Sequence, residues 1–130
     1  METRPYTPDD YPQAAKWWES HNFPAPIPES ALPDSGIVVF EDGNDVCMGW
    51  LYLTNSSIAW IGFVVGSNEV SPRVLHEGIL KLFESLNRLA LAKGYSAVYA
   101  NFGLRGLLKS LEKIGFKQGG TNYTEMVWKG

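Results

Sequence analysis

Ile58-Ala59-Trp60-Ile61-Gly62-Phe63-Val64-Val65 is apolar at odd and even positions alike, a pattern that predicts a central strand covered on both faces. The residues after this stretch decide the fold. Gly66 to Pro72 is a polar connection. Beyond it Leu75, Gly78, Ile79, Leu82, Phe83, Leu86, Leu89 and Ala90 recur at helical spacing, one apolar stripe over about five turns. Gly94 stops that helix, and Tyr95 to Ala100 reads as a short strand. A strand, a long helix and a strand in this order form a crossover unit. The two strands are therefore expected to run parallel.

Working outward, two more strand signals precede Ile58. Ile37 to Phe40 turns through Glu41-Asp42-Gly43-Asn44 into Val46 to Leu53, which Thr54-Asn55-Ser56-Ser57 closes. The three strands make an antiparallel meander. Thr7-Pro8-Asp9-Asp10 reads as a helix start, with Pro12 as the alternative first residue, and the helix runs through Trp17 and Trp18. From His21 to Asp34 the prolines at 24, 26, 28 and 33 forbid regular helix and leave an extended loop, either a lid or a stiff surface crossing. Downstream, Leu104, Leu107, Leu108, Leu111 and Ile114 mark a second amphipathic helix that Gly115 ends. Phe116 and then Tyr123 to Trp128 are the last strand material, divided by Gly119-Gly120. The reading is an α/β (α+β) protein: a mixed central sheet, an antiparallel meander followed by a parallel crossover pair, and helices on both faces.

Composition bounds the function. The 130 residues are 45% apolar and 19% charged, which fits one globular domain spanning residues 1–130. Cys47 is the single cysteine and reads as a buried thiol in a strand, so no disulfide forms within the chain. Met1-Glu2-Thr3-Arg4-Pro5 lacks a basic run leading into an apolar one. No apolar run approaches the length of a membrane span, and the expectation is a cytoplasmic protein without a membrane partner. The net charge of -3 and the pI near 5.3 do not favour nucleic acid as a partner. One local exception is a basic stripe at Arg105, Lys109, Lys113 and Lys117, which reads first as a solvated helix face. Two histidines and one cysteine without ligand spacing argue against a metal site.

The C-terminal third carries a resemblance. Tyr95-Ser96-Ala97-Val98-Tyr99-Ala100-Asn101, Ala90 with Lys93-Gly94, and Leu107 through Lys113 with Ile114-Gly115-Phe116 resemble the corresponding segments of the GNAT superfamily of acyl-CoA-dependent N-acyltransferases. The order of elements is similar to that fold over most of the chain. The length and the proline-rich segment also resemble short GNAT-like proteins of bacteria and their phages.

The resemblance implies acetyl-CoA, or another acyl-CoA, as cosubstrate. It would lie between the splayed strands along the backbone of Phe63, Val64 and Val65. Its pyrophosphate would face the amides of Val74, Leu75, His76, Glu77 and Gly78 at the start of the long helix, with Arg73 beside them. Asn101 would meet the cofactor or a water, or simply cap the following helix. The sequence departs from the family in two places. The family loop reads Arg or Gln, two residues, Gly, one residue, then Gly or Ala, whereas this chain offers only Gly78 beside the carboxylate of Glu77. The family's general base on the fourth strand falls near Trp60, and its tyrosine acid falls at Leu111. Proximity of amine and thioester can supply much of the rate without them. Tyr99, Tyr123 and Glu125 are then the catalytic candidates, Tyr99 at the cleft strand and the other two alternating on the last strand. The expected activity moves an acetyl or similar group to the primary amine of a small molecule or protein. The rival is a non-catalytic GNAT-like module that binds a protein or nucleotide in the same cleft.

Overall fold

A computed structural model of the chain describes residues 1–102 and 105–130. Strand β1 (Glu2–Pro5) leads through a short 3-10 turn at Pro8–Asp10 into helix α1 (Tyr11–Ser20), with Pro12 in the first turn where its missing N–H costs nothing. The entry is locked electrostatically. Arg4 donates from Nη1 and Nη2 to the two oxygens of Asp10 at 2.9 and 2.8 Å, and from Nη2 to Asp45 at 3.2 Å. The Thr7 N–H donates to Asp10 Oδ2 at 2.9 Å. Burial alone would raise the Asp10 pKa, but the Arg4 fork and the Thr7 amide outweigh it and hold the carboxyl below its ordinary value.

The meander consists of β2 (Gly36–Glu41), β3 (Asn44–Tyr52) and β4 (Ile58–Gly66), followed by α2 (Pro72–Ala92), β5 (Ala97–Ala100) and α3 (Leu108–Lys113). The five strands lie in sheet order β1-β2-β3-β4-β5. All neighbours are antiparallel except β4 and β5, which run parallel with Ile58 opposite Ala97 and Ile61 opposite Ala100. The crossover read from the sequence is therefore borne out. Leu104 lies outside the described residues, as does the side chain of Arg105; Leu107 and Leu111 bury the apolar side of α3 as expected.

Each face of the sheet has its own core. On one, Val39, Val46, Leu51, Ala59 and Ile61 meet Ile79, Leu82, Phe83, Leu86 and Ala90 of α2 together with Leu107 and Leu111. On the other, Trp17, Trp18 and Ala14 of α1 cover Val38, Met48, Trp50 and Val65, with the Trp18 and Trp50 rings stacked at 5.7 Å. Cys47 is fully buried, as read, and burial pushes its thiol up to about 12. The proline segment is pinned along the sheet by two tyrosines, Tyr11 donating to the Ile27 carbonyl and Tyr52 to the Ala31 carbonyl, both at 2.7 Å.

The β3–β4 ladder breaks once. Met48 faces Val65 and Trp50 faces Gly62, so Phe63 and Val64 together oppose Gly49. This is a β-bulge, and Phe63 takes a φ of 56° there, a conformation that costs a non-glycine residue about 1–3 kcal/mol. Gly49 permits it: a Cβ at that position would stand 3.1 Å from Val64 Cγ2 and 3.0 Å from Leu82 Cδ2.

Two expectations are corrected. Strand β4 is central in its hydrogen bonding but is not covered on both faces, since Trp60 and Phe63 are each more than a third exposed. The reason is that α1 has only 10 residues and the proline segment supplies no second helix to finish that face. Tyr123 to Trp128 is not a strand; residues 117–130 are exposed without regular structure. Strand propensity needs a ladder partner and a covered face to act on, and the adjoining edge, β5, offers four residues.

Candidate active site

Pairing between β4 and β5 ends at Ile61 and Ala100, while β4 runs on to Gly66. The backbone from Gly62 to Gly66 therefore has no β5 partner among the described residues, and the bulge at Phe63 falls within this open stretch. Phe63, Val64 and Val65 thus lie on the part of β4 that extends beyond its pairing with β5.

The end of β4 is held from both sides. His21 Nε2 lies 2.9 Å from the Gly66 carbonyl oxygen; a carbonyl only accepts, so Nε2 carries a proton in this contact. On the opposite side Gly66 sits against Leu75, where any Cβ would collide with the leucine methyl Cδ1. The connection then turns on serines. Ser67 N–H donates to the Val46 carbonyl and Ser67 Oγ accepts from Glu69 N–H at 3.0 Å.

Helix α2 starts earlier than the apolar stripe suggests. Ser71 is the N-cap, its Oγ accepting from Val74 N–H at 3.2 Å and its carbonyl from Leu75 N–H at 2.9 Å, with Pro72 at the first helical position. The amides of His76, Glu77 and Gly78 consequently lie within the helical ladder, donated to carbonyls four residues back. They do not face outward as read from the sequence. Between Ser67 and Leu75, the amides in no described hydrogen bond are those of Asn68, Val70, Ser71 and Arg73. Ser-Pro before an apolar stripe is a helix-start signal, and it was the cue to this shift.

The side chains in the first turns of α2 divide by role. Gly78 is a packing glycine, since a Cβ there would stand 2.5 Å from Val46 Cγ1. His76 Nε2 meets Ser110 Oγ at 3.0 Å and so ties α2 to α3. Arg73 is exposed and pairs with Glu77 one turn on at 3.3 Å, leaving the guanidinium partly neutralised at the mouth of the cleft.

Across the parallel pair, Trp60 and Tyr99 face each other in register with ring centroids 5.1 Å apart. Asn101 follows β5 and is exposed. Tyr123 and Glu125 are exposed in the tail and do not join this constellation. Leu111 is core, and Trp60 occupies the open face.

This sheet, an antiparallel meander extended by a parallel crossover pair, superposes on solved structures that include acetyltransferases. A Thermus thermophilus protein, TTHA1254, superposes with a TM-score of 0.73 at 14% identity, over 100% of this chain and 99% of that one. This is the GNAT fold. Rv2747 from Mycobacterium tuberculosis, solved in complex with CoA, matches at a TM-score of 0.72 and 15% identity, covering 95% of this chain and 76% of its own. The ribosomal-protein-S18-alanine N-acetyltransferase from Escherichia coli matches at 0.72 and 13% identity, covering 92% and 79%. No family model and no curated protein matches the sequence. The GNAT fold is thus carried here by packing pattern with little residue identity.

Proposed function

We propose that this protein is an acyl-CoA-dependent N-acyltransferase that moves an acetyl or similar group to a primary amine. One observation carries the reading: β4 continues past its last pairing with β5, from Gly62 to Gly66, and leaves an open backbone edge beside the Phe63 bulge. Such an edge fits the amides of a pantetheine arm, which can pair with strand backbone. The Rv2747 structure, and that of the Neisseria gonorrhoeae N-acetylglutamate synthase, 28% of whose chain matches this fold, contain coenzyme A. In this reading Phe63, Val64 and Val65 line the arm, and Arg73 with the free amides of Asn68, Val70 and Ser71 faces the pyrophosphate. Asn101 lies at the far wall.

The chemistry asks little of side chains. The neutral amine nitrogen attacks the thioester carbonyl, the C–N bond forms, and the C–S bond breaks with its electron pair on sulfur. The amine sheds one proton to solvent, and the thiolate gains one from water or the Tyr99 hydroxyl. Holding both reactants at the bulge supplies the rate through proximity.

The rival reading, a non-catalytic GNAT-like module for a protein or nucleotide ligand, draws on the absence of an ionisable side chain at Trp60 and Leu111. Calorimetric titration with acetyl-CoA, followed by thiol release with an amine panel, separates the two. Binding with turnover supports the enzyme, and binding without turnover across the panel supports the module. No binding at millimolar acetyl-CoA, with no rise in Tm, overturns the acyl-CoA reading.

A further inference from the structure

Helix α1 covers only half of its face of the sheet. Trp17 and Trp18 sit over Val38, Met48, Trp50 and Val65, and beyond them the same face carries Tyr52, Trp60, Phe63 and Tyr99. Trp60 alternates with the buried Ala59 and Ile61, and Tyr99 with Val98 and Ala100, which pack on the α2 side. The four rings form two pairs, and Tyr52 stands opposite Trp60 in the β3–β4 register. Tyr52 and Phe63 meet edge to face at 6.0 Å, the Tyr52 ring lies over Gly62, and Trp60 and Tyr99 meet at 5.1 Å. Trp60, Phe63 and Tyr99 are 37%, 36% and 51% exposed.

A surface of this kind is an unusual end for a strand pair to present to water, because exposed apolar area of this density marks contact with a ligand or partner. Its position narrows the occupant. The rings lead directly to Phe63, the bulge residue at the open edge of β4. Its charge narrows the occupant further. Strands β4 and β5 and the stretch from Gly49 to Tyr52 contain no acidic residue, so these strands themselves offer a polycation no counter-charge. The Tyr52 hydroxyl is spent on the Ala31 carbonyl and, pushed up to about 12 by burial, stays neutral. What the surface offers is ring faces, and ring faces hold planar apolar groups by stacking.

We propose that Tyr52, Trp60, Phe63 and Tyr99 form the acceptor subsite and that it takes a small primary amine carried on an aromatic body. The inference rests on the acyltransferase reading for its reaction but not for its binding. The aromatic body lies on Trp60 and Tyr99, and the amine points along the floor toward Phe63.

Equilibrium binding of phenethylamine, butylamine and spermidine to the full chain tests this, read by calorimetry with and without acetyl-CoA. Phenethylamine is expected to bind at least tenfold more tightly than butylamine or spermidine. Trp60→Ala should remove that preference, and Tyr99→Phe, which keeps the ring, should retain it. If Trp60→Ala does not fold, the more exposed Tyr99→Ala serves in its place. Equal binding of butylamine and phenethylamine alongside intact acetyl-CoA binding overturns the subsite and leaves the acyltransferase reading standing. Aromatic preference without acetyl-CoA binding does the reverse. A dimer in sedimentation that Trp60→Ala dissolves would assign the floor to a second copy and overturn the proposal.

Discussion

The imidazole of His21 meets the carbonyl oxygen of Gly66 at 2.9 Å, joining the end of α1 to the end of β4 across 45 positions of sequence. The contact fixes the last residue of the strand on the side that Leu75 does not reach. Replacing His21 with Ala should cost about 1 kcal/mol of stability, the usual net worth of one hydrogen bond. It should also weaken acetyl-CoA binding, because the open edge ends at this carbonyl. Denaturant unfolding and calorimetry read the two effects, and an unchanged unfolding midpoint would show the bond to be idle.

Gly78 separates a packing role from a cofactor role. Its α-carbon approaches Val46 so closely that a methyl group would stand 2.5 Å from Cγ1. Gly78→Ala should therefore destabilise the protein by about 1–3 kcal/mol through overpacking, despite the better helix propensity of alanine. Acetyl-CoA affinity, measured well below Tm, should stay within about twofold, since the Gly78 amide lies inside the helical ladder. A selective loss of affinity with stability intact would restore the glycine to the cofactor site.

Glu77 and an incoming pyrophosphate compete for the Arg73 guanidinium. The Arg73–Glu77 ion pair at 3.3 Å is exposed, so it adds little stability, yet it diverts the guanidinium from an incoming pyrophosphate. Glu77→Gln, which keeps helix propensity, should strengthen acetyl-CoA binding roughly threefold at low salt. Arg73→Ala should weaken it by at least as much, because charge-assisted phosphate contacts are the stronger kind. Both effects should shrink as salt is raised. Two variants that bind as the parent does would place the diphosphate away from this turn.

Asp10 sets the acid limit of stability. Its carboxyl titrates below the ordinary carboxylate value in the folded state, held there against burial by Arg4 and Thr7. The unfolded chain thus takes up the proton first as pH falls. The stabilisation is fully present above the ordinary carboxylate range near pH 4 and is lost as pH drops through the lower folded value. Asp10→Asn should remove this acid-side dependence and lower stability at pH 7. Unfolding midpoints from pH 7 down to 3 check it, and a parallel fall in parent and variant would refute the assignment.

The parts of the fold that were legible in the sequence are those in which periodicity and burial coincide. The stripe from Leu75 to Ala90 and the Ile58–Val65, Tyr95–Ala100 crossover required only apolar spacing and a helix long enough to return. The Phe63 bulge was not legible, because it depends on Gly49 opposite it, a residue on another strand. That the amides of His76, Glu77 and Gly78 lie inside the ladder was not legible from the apolar stripe, which begins at Leu75, whereas Ser71 and Pro72 begin the helix. The strand assigned to Tyr123–Trp128 rested on side-chain preference, which acts only where a neighbouring edge and a core receive it. Trp60 looked like core because its own strand is apolar throughout; its exposure follows from a helix that α1 is too short to supply.

The two residues that oppose Gly49 also invert the parity of β4. Ala59 and Ile61 point toward α2, and an unbroken strand would send residue 65 the same way, yet Val65 packs with α1 and Val64 with the α2 side. The protein consequently holds one residue whose presence matters more than its identity. Substitutions at 63 would be absorbed by the exposed position of the side chain, subject to the φ of 56°. A single-residue deletion there would turn Val64 and Val65 to the wrong sides and move Gly66 out from under Leu75. In a library of variants, this point in β4 should tolerate replacement while rejecting every change of length.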